Sequence, residues 1–291
     1  MSILKLPLSK AVRRDLSHQA LRVATDLRED LQIDDFTPAC PFDAALHLGI
    51  SVRFTEINME GLYVRAPRPM IIVSSKRPLG RRLFNAAHEL GHHMFGHGSR
   101  LDELQERGTQ RSWEDPDEFL ADTFAGFFLM PFLALENAFQ RRGWSPRAAT
   151  PQQIYTIASD FGVGYTTLIT HLCHGLSLIS DLHAKSLKKT SPLSIRSQLI
   201  GDDGTVPLVI AGPNRAASEI DIETGTLLAL PKGSMADTQY LTPIAQKTNA
   251  SLFMGTASGK AAVRFQSWKA TVRIQQKAFV GLAKFRHLEA A

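Results

Sequence analysis

The apolar positions near the start of the chain recur every three to four residues. Val12, Leu16, Ala20, Val23 and Leu27, with Arg and Asp between them, predict an amphipathic helix over 9–30. Phe42 to Leu48 predicts a second helix, stopped by Gly49. Ile50 to Ile57 alternates as a strand does. Residues 83–95 return to a helical pattern with an apolar face, ended by Gly96 and Gly98. A polar stretch, 99–112, separates it from another helix, on which Glu118, Asp122, Ala125 and Leu129 share a face. Residues 152–173 read as a helix-turn-helix pair. From Lys185 to Pro192 the composition turns polar, as at a linker. Beyond it, Val206–Ile210, Ile220–Ile222, Thr226–Leu230, Ser251–Met254, Ala261–Phe265 and Ala270–Ile274 are short strands, with turn signals at 223–225 and 258–259. The pattern gives two domains, 1–185 and 190–291, the second β-rich.

Composition narrows the class. A chain that is 44% hydrophobic and 21% charged is globular. Cys40 and Cys173 lie far apart and suggest no disulfide framework, and without a Cys-x-x-Cys pair there is no thiolate zinc site of the usual kind. The first eight residues have no sustained apolar run, and the longest apolar stretch, Phe124 to Leu135, is broken by Pro131. The expectation is a cytoplasmic protein with no membrane partner. A net charge of +5 permits nucleic-acid contact without demanding it. The pairs Arg13-Arg14, Arg81-Arg82 and Arg141-Arg142 read as solvated surface.

Chemistry concentrates at His88-Glu89-Leu90-Gly91-His92. On a helix, His88 and His92 present two imidazoles to one point, half of a zinc site, with Glu89 beside them as a general base. A catalytic zinc takes three protein ligands. His97 does not fit the extended three-histidine motif, because Phe95 and Gly98 stand where its glycine and last histidine belong. His93 and His97 read as solvent-side or secondary polar groups. Downstream, Glu118 either completes the metal shell or serves only as the acidic third residue of a helix start, Asp115-Pro116-Asp117-Glu118. Asp122, one turn on, is placed to accept a hydrogen bond from a ligand histidine's second nitrogen. Glu114 and Asp117 read as charges complementing the helix dipole.

These residues resemble the ImmA/IrrE metallopeptidases: a His-Glu-x-x-His helix, then Glu118-x-x-Ala121-Asp122-x-x-Ala125 running into Leu129-Met130-Pro131. The resemblance spans roughly residues 15–180. It places a small hairpin at Gly61–Val64 and Met70–Val73, with Asn85 and Ser74 as departures from the commoner threonine and asparagine. It implies metal ligation by His88, His92 and Glu118, catalysis by Glu89, and a protein substrate, typically a helix-turn-helix transcriptional repressor or an antitoxin. The metal is expected to be Zn2+, with Mn2+ or another divalent ion as the alternative.

The fold class expected is α+β. A zincin-like metallopeptidase domain, mostly helical with a small sheet, is followed by a smaller β-rich domain of sensory or regulatory character. The rival reading is a DNA-binding regulator using 152–173, with a structural metal. Against it, residues 162–175 contain no Lys or Arg, so direct DNA binding is not expected and the pair reads as structural. His171 and His174 on it read as packing or surface residues. Tyr63, His93, His97 and Tyr155 are candidates for stabilising an oxyanion, and nothing in the sequence chooses among them.

Overall fold

The computed structural model describes residues 8–65, 67–98, 115–201 and 204–288. The polar stretch 99–112 and Glu114 lie outside the described residues. Helices and sheets are both present, as an α+β chain requires. By contacts the chain forms two compact units. The first is Met1–Asp35, Ala39–Pro131 and Leu282–Lys284; the second is Phe36–Pro38, Phe132–Gly281 and Phe285–Ala291. The contacts thus change partners at Pro131–Phe132, whereas the 1–185 and 190–291 division is a proposal about folding units.

In the first unit, α1 (Lys10–Asp30) starts at Ser9, whose hydroxyl accepts from the Val12 amide. It buries Ala20, Ala24 and Leu27. Next come α2 (Pro41–His47), β1 (Ser51–Thr55), β2 (Gly61–Val64), β3 (Met70–Ser74), α3 (Leu79–Met94) and α4 (Pro116–Leu129). β3 pairs in parallel with β1 and antiparallel with β2, Val64 opposite Met70, so the expected hairpin forms and β2 ends the strand order. Helix α4 is fixed at both ends. Asp115 accepts from the Asp117 amide, with Pro116 preset for the first turn. At the other end the buried Arg28 guanidinium donates to the Phe128 carbonyl at 2.9 Å, meeting an acceptor the helix itself cannot satisfy.

Arg82 and Arg142 correct the surface reading. Arg82 is fully buried, its guanidinium over the Phe54 ring at 5.4 Å. In the second unit Arg142 and Arg215 flank Asp160 at 2.6 and 3.7 Å, all three hidden from solvent. A charge pattern in sequence cannot register such burial, because it depends on which neighbours the fold delivers.

The second unit contains α5 (Phe132–Gln140), α6 (Pro151–Phe161), α7 (Tyr165–Thr170), α8 (Asp181–Lys188) and α9 (Pro192–Ile200). The stretch from Lys185 to Pro192, where a linker was expected, is therefore the end of α8, a short connection at 189–191 and the start of α9. Serine caps, Ser180 and Ser191, make both of these helices possible in a polar stretch. After α9 the strands form two four-stranded sheets among the described residues, ordered β4 (Leu208–Ile210), β6 (Leu227–Pro231), β9 (Ala250–Gly255), β8 (Leu241–Gln246), and β5 (Glu219–Glu223), β11 (Trp268–Gln275), β10 (Gly259–Phe265), β7 (Met235–Ala236). Ile220, Ile222, Val263, Val272 and Ile274 share one core with Leu228, Leu230, Leu241 and Phe253. β8 escaped the sequence reading because Pro243 interrupts it at a register shift.

The helix-turn-helix pair is α6 and α7, turned at Gly162 with φ +62°. Both helices spend their apolar faces on packing, and the hydroxyls are taken too. Tyr155 donates to the Leu208 carbonyl at 2.7 Å and Tyr165 to the Leu187 carbonyl at 2.9 Å. Burial pushes the Tyr165 hydroxyl up to about 12. The packing of the pair belongs to the second unit. His171 is buried and His174 exposed.

Candidate metal centre

The first and fifth residues of His88-Glu-Leu-Gly-His92 project from one face of α3, and α4 lies directly across from them. The two helices come unusually close because of Gly91. A Cβ there would stand 3.0 Å from Phe124 Cδ1, 3.1 Å from Ala121 Cα and 3.3 Å from the Ala121 carbonyl oxygen. Gly91 and Ala121 are therefore the small pair that lets the helices touch. That approach brings Glu118 to the histidines. His88 Nε2 is 3.0 Å from His92 Nε2 and 3.3 Å from Glu118 Oε2, and His92 Nε2 is 4.0 Å from Glu118 Oε1.

Is this arrangement suited to an ion? Ligands about 2.0–2.2 Å from a tetrahedral centre lie roughly 3.3–3.6 Å from each other, close to the spacings seen. Proton placement points the same way. His88 Nδ1 faces Asp122 Oδ1 at 2.7 Å. A carboxylate only accepts, so that nitrogen carries the proton, and in a neutral ring Nε2 is then a lone pair. This lone pair, the second imidazole and the Glu118 carboxylate all face one point. A cation there satisfies all three. The donor set His88, His92 and Glu118 fits a divalent metal of the zinc type.

Glu89 is buried, 7% exposed, and packs against the strand that ends the sheet. A Cβ on Gly61 would meet Glu89 Oε1 at 2.9 Å and Cγ at 3.1 Å. Glycine at 61 is thus the cradle for that carboxylate. The segment before Gly61 is tied to α3 by Glu60, which accepts from Asn85 Nδ2 at 2.9 Å and Arg81 Nε at 2.8 Å. Ser74 Oγ donates to the Ile57 carbonyl at 2.7 Å. Both departures from the commoner residues therefore hold the hairpin in place.

His97, read as a secondary polar group, has a specific place: its Nδ1 is 2.7 Å from His92 Nδ1. His93 and Tyr63 form a separate pair, Tyr63 OH to His93 Nδ1 at 2.8 Å. Burial raises the Tyr63 hydroxyl, opposed by Arg65, and lowers His93, reinforced by Arg65. Tyr155 is excluded from oxyanion duty by its bond to Leu208. Another convergence, Cys173, His174 and Asp181, is less suited to a metal. His174 and Asp181 are exposed. The Cys173 thiol donates to Asp181 at 3.3 Å and is pushed up by burial and then by Asp181, which disfavours the thiolate.

Residues 45–172 match the family model described as Peptidase_M78, IrrE N-terminal-like domain. This stretch is an IrrE N-terminal-like domain. The family is one of metallopeptidases, and the match covers α3 and α4 in full. Curated proteins gave no match to the chain. Among solved structures, a Mycobacterium tuberculosis transcriptional regulator is similar over 55% of this chain and 46% of its own, at 20% identity and a TM-score of 0.36. This chain therefore spans less than half of that regulator. No single helix among the described residues of the chain that carries this IrrE-like domain is long and apolar enough to cross a membrane.

Proposed function

We propose that the chain is a metal-dependent endopeptidase whose chemistry resides in α3, α4 and the edge of β2. The observation that carries this reading is the convergence of His88 Nε2, His92 Nε2 and the Glu118 carboxylate within 4.0 Å, beside a buried Glu89. His88, His92 and Glu118 would hold the ion, Zn2+ by donor type, with Mn2+ or another divalent ion as the alternative. When bound, a divalent ion supplies Lewis acidity, polarising a carbonyl and lowering the pKa of water.

The chain's own residues do the rest. Glu89 takes the proton of the attacking water on its carboxylate and returns it to the leaving amine. Its cradle at Gly61 sets its distance from β2. An extended peptide added to the edge of β2 that no strand among the described residues pairs with would run past that carboxylate, and strand addition supplies main-chain bonds without demanding a particular sequence. Asp122 holds His88 in the tautomer that leaves Nε2 open. The substrate is a protein. Following the family resemblance, we take it to be a helix-turn-helix repressor or an antitoxin cut in the cytoplasm, with the β-rich residues after 200 in a sensory or regulatory role.

Metal content of the wild type, Glu118→Ala and Glu89→Gln tests the reading. About one ion per chain is expected in the wild type, none in Glu118→Ala, and full loading without cleavage in Glu89→Gln. Full loading of Glu118→Ala would leave Glu118 as a helix-start residue and place the third ligand elsewhere.

A further inference from the structure

Helix α3 ends in a way that fixes one more residue against the site. Phe95 is its last half-helical residue, and Gly96 follows with φ +69°. The Gly96 amide donates to the His93 carbonyl and the His97 amide to the His92 carbonyl, both at 3.0 Å. This is the Schellman closure, in which the second residue past the cap folds back on the third residue before it. Those two residues are His97 and His92. The place that an apolar contact ordinarily fills is here a hydrogen bond between two imidazoles, Nδ1 to Nδ1 at 2.7 Å, with ring centres 5.0 Å apart. The other nitrogen of His97, Nε2, faces Asp117 Oδ1 at 3.5 Å.

We propose that His97 and Asp117 are positioning residues that orient His92 toward the metal, as Asp122 orients His88. This rests on the metal reading above. The proton count is simple. A neutral His92 that offers Nε2 to an ion keeps its one proton on Nδ1. That proton is donated to His97 Nδ1, which must therefore be bare. The single proton of His97 is then on Nε2, pointing at the Asp117 carboxylate. Each ligand histidine thus ends on a carboxylate of α4, one directly and one through a second ring, while Glu118 between them enters the site itself. The simpler account of His97 is that it packs a helix end, and of Asp117 that it complements the dipole of α4. Packing needs only a flat ring, whereas orientation needs an acceptor at the Nδ1 position.

Three variants separate the two accounts in a competitive zinc titration of the purified full chain. His97→Phe keeps the ring and removes the acceptor. His97→Asn places an amide oxygen near the Nδ1 position and discards the ring. Asp117→Ala removes the terminal carboxylate. Circular dichroism of the metal-free proteins confirms that each is folded. Zinc affinity is expected to fall roughly 10–100-fold in His97→Phe, the usual effect of losing such a partner, and less in Asp117→Ala. His97→Asn is expected to stay within about threefold of wild type. In long-range 1H–15N spectra of the zinc-loaded wild type, His92 carries its proton on Nδ1 and His97 on Nε2. A folded His97→Phe with wild-type affinity, or a His97 protonated on Nδ1, overturns the proposal while the metal site stands. A wild type that binds no zinc overturns the metal reading and this inference with it.

Discussion

Gly91→Ala is the sharpest test of how the two helices build the centre. Inside a helix, replacing glycine by alanine is ordinarily stabilising by about 1 kcal/mol. Here the added methyl would stand 3.0–3.3 Å from Phe124 Cδ1 and from the Cα and carbonyl oxygen of Ala121. Two of those three atoms are backbone, so the relief has to come from moving α3 away from α4 by a few tenths of an ångström. Overpacking of that kind costs about 1–3 kcal/mol, which cancels or exceeds the helix-propensity gain and leaves a net loss of about 0–2 kcal/mol. Metal binding should suffer more than stability. His88 and His92 ride on α3 and Glu118 on α4, and a metal site tolerates only about 0.2 Å of misplacement per ligand. A fall in zinc affinity of about tenfold or more is expected. Urea unfolding in excess chelator measures the first quantity and competitive zinc titration the second. If Gly91→Ala were more stable by the full propensity gain and bound zinc as tightly as wild type, the helices would have slack and the close approach would not set the donor spacing.

Other expectations follow from the same structure. Asp122→Ala frees His88 Nδ1 and should weaken metal affinity roughly 10–100-fold, read by the same titration, with an unchanged constant leaving Asp122 an ordinary helix residue. Asp160→Ala strands Arg142 and Arg215 in the interior of the second unit and should destabilise it by about 3–5 kcal/mol in thermal or urea unfolding, whereas an effect under about 1 kcal/mol would mean water reaches the pair. Burial, aided by Arg286, holds His287 down at about 4 against an ordinary 6.5. The unfolded chain therefore binds more protons between those values, so this contribution is complete above pH 6.5 and is lost as pH falls toward 4, by at most about 3 kcal/mol. Melting temperatures at pH 7.5 and 4.5 should differ less in His287→Gln than in wild type, and equal differences would remove His287 from the account.

Much of the first unit was legible because its signals are local. The periodicity of Val12 to Leu27 gave α1, the fivefold motif gave the face of α3, and helical spacing joined Glu118 to Asp122 on α4. The convergence of Glu118 with His88 and His92 was not local. It turned on Gly91 and Ala121, whose importance is a distance between helices that no single-helix pattern encodes. His97 was half legible. Its failure to fit a three-histidine motif was plain, and Gly96 marked the end of the helix. What had to be added was that a left-handed glycine at that position returns the next residue to the turn it has just left. The arginines show the opposite failure. Arg82 and Arg142 sit beside exposed arginines in the sequence, and only the packed neighbours Phe54 and Asp160 distinguish them.

Because the donors are divided between α3 and α4, an ion bound to them is also a cross-link in the chain. Binding to the folded form alone adds stability as the logarithm of free metal, about 2.7 kcal/mol when metal exceeds the dissociation constant 100-fold. A shift of that size changes the unfolded fraction about a hundredfold, enough to alter how much of the protein escapes degradation in a cell. Metal supply would then set the abundance of the chain as well as its activity, and starvation for the ion would remove the protein rather than leave it idle.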